Sequence, residues 1–179
     1  MKISQDIGVS EPALAALFTA TFSASEGPEE GAIVGALAAR LMEDTPREDL
    51  RTFFATDGAG PIAAVIFTPL VYPQDPRRVM LLSPMAVATD HQGQGVGQAL
   101  LTHALDALRS EGVDVAITYG DPAFYSKVGF QPLTAAQAAP PHPLSQPQGW
   151  IGQSLTGQAL TPLKGPSTCV SGLNDPALW

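Results

Sequence analysis

One stretch constrains this chain more than any other. It is Asp90-His91-Gln92-Gly93-Gln94-Gly95-Val96-Gly97-Gln98, set between two strongly patterned segments. After it, Val96, Leu100, Leu101, Ala104, Leu105 and Leu108 recur at helical spacing, so residues 95–109 read as an amphipathic helix, with Gly112 as its C′ glycine. Before it, residues 79–89 read as a strand. Pro84 lies inside that strand, and a proline that cannot donate to a ladder implies an edge or a bulge. Glycines between a strand and a helix let the backbone take positive φ and approach a ligand closely. The first amides of a helix have no internal acceptor and sit at the positive end of its dipole. Together these features make a pyrophosphate cradle, although a plain tight connection would use the same glycines. A P-loop needs Lys and Ser/Thr after the last glycine, where this chain has Gln98. The dinucleotide fingerprint fails at Gln98 counted from Gly93, and at Leu100 counted from Gly95.

The rest of the pattern is mixed. Residues 1–8 read as a short first strand. A helix follows, capped by Ser10, with Pro12 in its first turn and Leu14, Leu17, Phe18 and Phe22 on one face. A break at Ser25-Glu26-Gly27-Pro28 precedes a second helix over 29–42, with Ile33, Leu37 and Leu41 aligned. Residues 50–56 and 62–67, joined by Asp57-Gly58-Ala59-Gly60, read as a hairpin. Val113, Val115, Ile117 and Tyr119 alternate as a strand, and residues 122–128 form a short helix stopped by Gly129. Residues 132–148 hold Pro132, Pro140, Pro141, Pro143 and Pro147 and read as one long loop, followed by closing strands over 149–155 and 165–170. The expected architecture is a single α/β (α+β) domain over 1–179, with its core over about 1–131, the Pro/Ala-rich loop, and closing strands with a C-terminal tail over 149–179.

Composition narrows the functions. A chain of 179 residues with 45% hydrophobic content can build one sizeable core. A net charge of −8 gives no footprint for nucleic acid and is repelled by an anionic membrane surface. It suits a cationic small substrate. The lone Cys169 excludes an internal disulfide, and His91, His103 and His142 lack ligand spacing, so no metal is expected. With no leader-like or membrane-spanning apolar run, a cytoplasmic protein is expected.

Gln92-Gly93-Gln94-Gly95-Val96-Gly97 fits a Q/R-x-x-G-x-G/A pattern, and two neighbouring segments extend the match. Leu82-Ser83-Pro84-Met85-Ala86-Val87 precedes it, and Gly120-Asp121-Pro122-Ala123-Phe124-Tyr125-Ser126-Lys127-Val128-Gly129-Phe130 follows. In these features the chain resembles the GNAT N-acetyltransferase superfamily, in particular a bacterial branch with a GDP-x-YY-x-x-x-GF segment. Here Phe124 stands in place of that segment's first Tyr. The clear resemblance covers about residues 79–131.

The resemblance implies a single twisted, mostly antiparallel mixed sheet, with splayed fourth and fifth strands and helices on both faces. It implies acetyl-CoA as cosubstrate and direct acetyl transfer to a primary amine of a small molecule or peptide. The backbone at Met85, Ala86 and Val87 would bond the pantetheine arm, and an N–H there would steady the developing oxyanion, worth about 3 kcal/mol. The N–H groups of Gln92, Gly93, Gln94, Gly95, Val96, Gly97 and Gln98 would hold the pyrophosphate. Tyr125 would protonate the leaving thiolate as general acid, or serve only as a core aromatic. The strand over 79–89 has no carboxylate for the family's usual base. Glu26, Glu29 and Glu30 match the acceptor region, where they would meet a cationic amine; Glu29 and Glu30 equally suit a helix N-terminus. Asp121 is a turn candidate. A noncatalytic acyl-CoA-binding or sensing domain is the alternative function. The C-terminal segment would pack on its own sheet or on a partner in a homodimer.

Overall fold

The computed structural model describes residues 1–5 and 9–179. The strands are β1 (Lys2–Gln5), β2 (Arg51–Thr56), β3 (Pro61–Pro69), β4 (Val79–Val87), β5 (Val115–Tyr119), β6 (Gln131–Pro132) and β7 (Trp150–Ser154). The helices are α1 (Glu11–Glu26), α2 (Pro28–Asp44), α3 (Val96–Ser110) and α4 (Pro122–Tyr125), with short 3-10 turns between elements. One seven-stranded sheet runs in the order β1-β2-β3-β4-β5-β7-β6. β4 and β5 are parallel, and the ladders β1–β2, β2–β3, β5–β7 and β6–β7 are antiparallel. This is the mixed, mostly antiparallel sheet expected. Of the strand expected over 1–8, residues 6–8 lie outside the described residues.

Two compact units share β4 and α3. The first comprises Met1–Phe67 and Pro84–Ala104. Ser10 caps α1 by accepting from the Ala13 N–H, and Gly27 alone separates α1 from α2. The two helices touch closely, since a Cβ added at Gly35 would fall 1.8 Å from Thr19 Oγ1. The buried face of α2 is Val34, Leu37, Ala38 and Leu41. Ile33, expected on that face, is 48% exposed. Steps of four residues drift around a helix, and the stripe centred on Val34 and Leu41 leaves Ile33 outside it. In the predicted β2–β3 hairpin, Asp57 Oδ1 accepts from the Ala59 N–H at 3.0 Å, and Phe53 meets Phe67 edge-on inside.

The second unit comprises Thr68–Ser83 and Leu105–Trp179. β5 lies between β4 and β7, so Val115 to Thr118 are buried on both faces and the expected in-out alternation is lost. The β4–β5 register runs from Val79↔Val115 to Leu82↔Thr118, two residues short of Pro84. Pro84 is therefore not on an edge strand of the sheet. It sits in β4 just past the last partner in β5, where no donor is required on that side. The full stripe predicted for α3 is buried, and the helix closes with Gly112 N–H on Arg109 O and Val113 N–H on Leu108 O.

The helix expected over 122–128 divides into α4 and a 3-10 turn, Ser126–Val128. The strand expected over 165–170 does not form: a single bridge, Val71↔Thr168, stands there. Pro166 removes a ladder donor and Gly165 has φ +78°, so the segment cannot extend. The C-terminal Trp179 packs on its own sheet. Its ring stacks on Tyr119, meets Trp150 edge-on, and donates from Nε1 to the Leu173 carbonyl at 2.9 Å. Among the described residues no helix is long and apolar enough to cross a membrane.

Candidate active site

The glycine loop leaves β4 through a 3-10 turn, Thr89–His91, and enters α3 at Val96. Gly93 and Gly95 have φ of +71° and +79°, a conformation that costs an L-residue about 1–2 kcal/mol. A Cβ on either would meet no heavy atom of the chain within 4 Å, so the space over both is open. Among the described residues, the N–H groups from Gly93 to Gln98 make no backbone hydrogen bond, and the helical series begins with Ala99 N–H on Gly95 O at 3.0 Å. Free donors beside open space fit a diphosphate. Gln92 differs: its N–H faces the Thr89 carbonyl at 3.4 Å.

The side chains of the motif brace the loop. Gln92 Nε2 donates to Val87 O at 2.9 Å, and Gln94 Nε2 donates to Asp90 O at 2.8 Å. Sequence alone did not separate these internal roles from a ligand contact. His91 adds a clasp that sequence reading missed, because its partner is 34 residues away in the hairpin turn. Nε2 lies 3.3 Å from Asp57 Oδ2, and Nδ1 lies 2.9 Å from Asp90 Oδ1. The Asp90 hydrogen bond and the two nearby carboxylates raise the His91 pKa above the ordinary imidazole value. Asp57 is held below the usual carboxylate range, chiefly by the Ala59 N–H.

In β4, Pro84 and Ala86 are buried while Met85 and Val87 are half-exposed. Met85, Ala86 and Val87 therefore run directly into the loop, linked to it through the Val87–Gln92 hydrogen bond.

In the second unit, Asp121 caps α4 by accepting from the Ala123 N–H at 2.9 Å, which is the turn role considered for it. Tyr125 ends α4. It is 9% exposed and packed edge-on between Phe124 and Phe130. Its ring covers Gly120, where a Cβ would fall 2.8 Å from Tyr125 Cε2. Burial pushes the pKa of its phenol up to about 12. The group thus stays protonated at neutral pH, as a proton donor must.

Glu26 ends α1, and Glu29 and Glu30 occupy the first turn of α2, where they favour the helix dipole. Glu26 and Glu29 are exposed and Glu30 is half-buried.

Residues 48–132 match the acetyltransferase (GNAT) domain model, a span that holds β2 to β6, the glycine loop and Tyr125. The chain is 29% identical over 130 residues to the uncharacterized N-acetyltransferase YjhQ of Escherichia coli K12, covering 70% of this chain and 72% of that protein. The crystal structure of the E. coli GNAT family N-acetyltransferase YhbS in complex with CoA superposes with a TM-score of 0.80 at 26% identity, over 97% of this chain and 92% of that one. A GNAT acetyltransferase from Brucella melitensis, solved with acetyl-CoA, shares the fold with a TM-score of 0.71 at 16% identity, over 97% and 99% of the two chains. In agreement with its motif, its sheet and these relatives, residues 48–132 of the chain carry an acetyltransferase (GNAT) domain.

Proposed function

We propose that the protein transfers an acetyl group from acetyl-CoA to a primary amine of a small molecule or peptide. The observation that carries this reading is the row of acceptor-free amides from Gly93 to Gln98, beside the open space over Gly93 and Gly95. These amides hold the diphosphate of the cosubstrate. The backbone at Met85, Ala86 and Val87 aligns its pantetheine arm, and an N–H of that segment steadies charge on the thioester oxygen. The amine nitrogen bonds to the acyl carbon and sheds a proton as the carbon–sulfur bond breaks. Tyr125 Oη gives its proton to the departing sulfur and is reprotonated from water, which takes up the proton shed by nitrogen. Glu26 and Glu29, both exposed to solvent, attract a cationic acceptor.

The strand over Val79–Val87 contains no carboxylate, which favours a second reading in which the domain binds acyl-CoA without turnover. Release of CoA from acetyl-CoA, measured across a panel of primary amines, decides between them. Amine-dependent release supports the enzyme. Tight acetyl-CoA binding with no amine-dependent release supports the sensing domain.

A further inference from the structure

The His91 ring stands between two carboxylates from different segments. Its Nδ1 lies 2.9 Å from Oδ1 of Asp90 on its own 3-10 turn, and its Nε2 lies 3.3 Å from Oδ2 of Asp57 in the β2–β3 turn. A neutral imidazole has one N–H and one bare lone pair, and a carboxylate offers only lone pairs. With both ring nitrogens facing carboxylate oxygens, the place suits an imidazolium. Among the described residues, Asp90 and Asp57 are the charged groups that act on the ring. Gln92 to Gln98, which follow it, hold no titratable side chain. Asp57 Oδ1 already accepts from the Ala59 N–H at 3.0 Å, which leaves Oδ2 for the ring. A second bond joins the same two segments, from the Ala88 N–H to the Ile62 carbonyl at 2.8 Å. The Asp90 carbonyl in turn accepts from Gln94 Nε2 at 2.8 Å, so the clasp continues into the glycine loop.

We propose that His91, as the imidazolium between Asp57 and Asp90, is a positioning residue for the cosubstrate diphosphate, a reading that rests on the cradle assigned above to the Gly93–Gln98 amides. It ties the loop to the hairpin turn, so the amides are set before the ligand arrives. It also offsets charge. Two carboxylates and an imidazolium carry one net negative charge, where a neutral ring would leave two beside an anionic ligand. Diphosphate therefore favours the protonated ring. Where the ring is partly deprotonated, binding draws a proton from solvent onto it. No covalent bond forms between His91 and the ligand.

The test uses dephospho-CoA, which keeps the diphosphate and lacks the 3′-phosphate that itself titrates near neutrality, and S-acetylpantetheine, which lacks both. Calorimetry in two buffers of different ionisation heat, at the pH where NMR finds His91 half-protonated, should show the wild-type protein taking up to about half a proton per dephospho-CoA bound. In His91→Gln the uptake should vanish. Dephospho-CoA should then bind about threefold to tenfold more weakly, with affinity for S-acetylpantetheine unchanged. Adding Asp57→Asn to His91→Gln should recover part of the loss, because it removes an uncompensated charge; a residue that only held the fold would give no such recovery. Absent proton uptake in the wild type, equal weakening of both compounds in His91→Gln, or no recovery in the double variant overturns the role of His91 and leaves the cradle standing. Equal affinity of the wild type for the two compounds overturns the cradle itself. The wild-type uptake needs no substitution, so it decides the matter even should His91→Gln unfold.

Discussion

The Gln92 side chain donates from Nε2 to the Val87 carbonyl at 2.9 Å, joining the end of β4 to the start of the glycine loop. The first polar residue of the motif thus holds the loop in shape, and the diphosphate cradle proposed beyond it is backbone. Gln92→Ala should release this tie, worth about 1 kcal/mol, and raise the KM for acetyl-CoA roughly fivefold with kcat little changed. Steady-state kinetics check this. A loss confined to kcat would contradict it.

Gly95 has φ +79° and open space over its Cα. Gly95→Ala meets no clash within the chain, so its cost is the left-handed backbone, about 1–2 kcal/mol. Thermal unfolding should shift down modestly, while the dissociation constant for acetyl-CoA should rise by more than strain alone explains, because the methyl enters the space assigned to the diphosphate. Equal losses in the two measurements would place the diphosphate elsewhere.

The two parts of this site were unequally legible in sequence. The glycine loop was visible because three close glycines, a buried strand and a periodic helix are local signals. The apolar stripe of α3 is buried as its spacing indicated. The His91–Asp57 clasp was not visible, because it depends on how a hairpin tip meets a loop 34 residues later. Ile33 was placed on the wrong face because a spacing of four approximates 3.6 only over short runs. The strand expected over 165–170 does not form because its β-prone residues are interrupted by Pro166, and only a single bridge stands there.

His91 gives a pH signature. Its pKa is raised first by the Asp90 hydrogen bond and then by the Asp90 and Asp57 charges. A group with a raised folded pKa contributes stability below its ordinary value of about 6.5 and loses it as pH rises through the folded value. Asp57, lowered, contributes above its own ordinary range and loses that as pH falls. The clasp is therefore firmest in weakly acidic solution. An NMR titration should find His91 above 6.5, with Asp90→Asn lowering it more than Asp57→Asn. No response to either substitution would contradict the assignment.

Tyr125 governs the alkaline side. Burial pushes its pKa up to about 12, so its contribution to stability is present below pH about 10 and is lost as pH rises through 12. Tyr72, also pushed up to about 12 by burial, behaves alike. Tyr125→Phe should therefore flatten part of the alkaline loss in unfolding free energy and leave the Tyr72 part. An unchanged alkaline slope would show that Tyr125 already ionises as freely in the folded protein as in the unfolded chain.

The central claim is that the amides from Gly93 to Gln98 hold a diphosphate. Calorimetric titration with acetyl-CoA and with S-acetylpantetheine, which keeps the thioester arm and lacks the diphosphate, tests it most directly. Acetyl-CoA should bind at least about a hundredfold more tightly, as several charge-assisted hydrogen bonds require. Equal affinity for the two compounds, or no uptake of acetyl-CoA, would contradict the account.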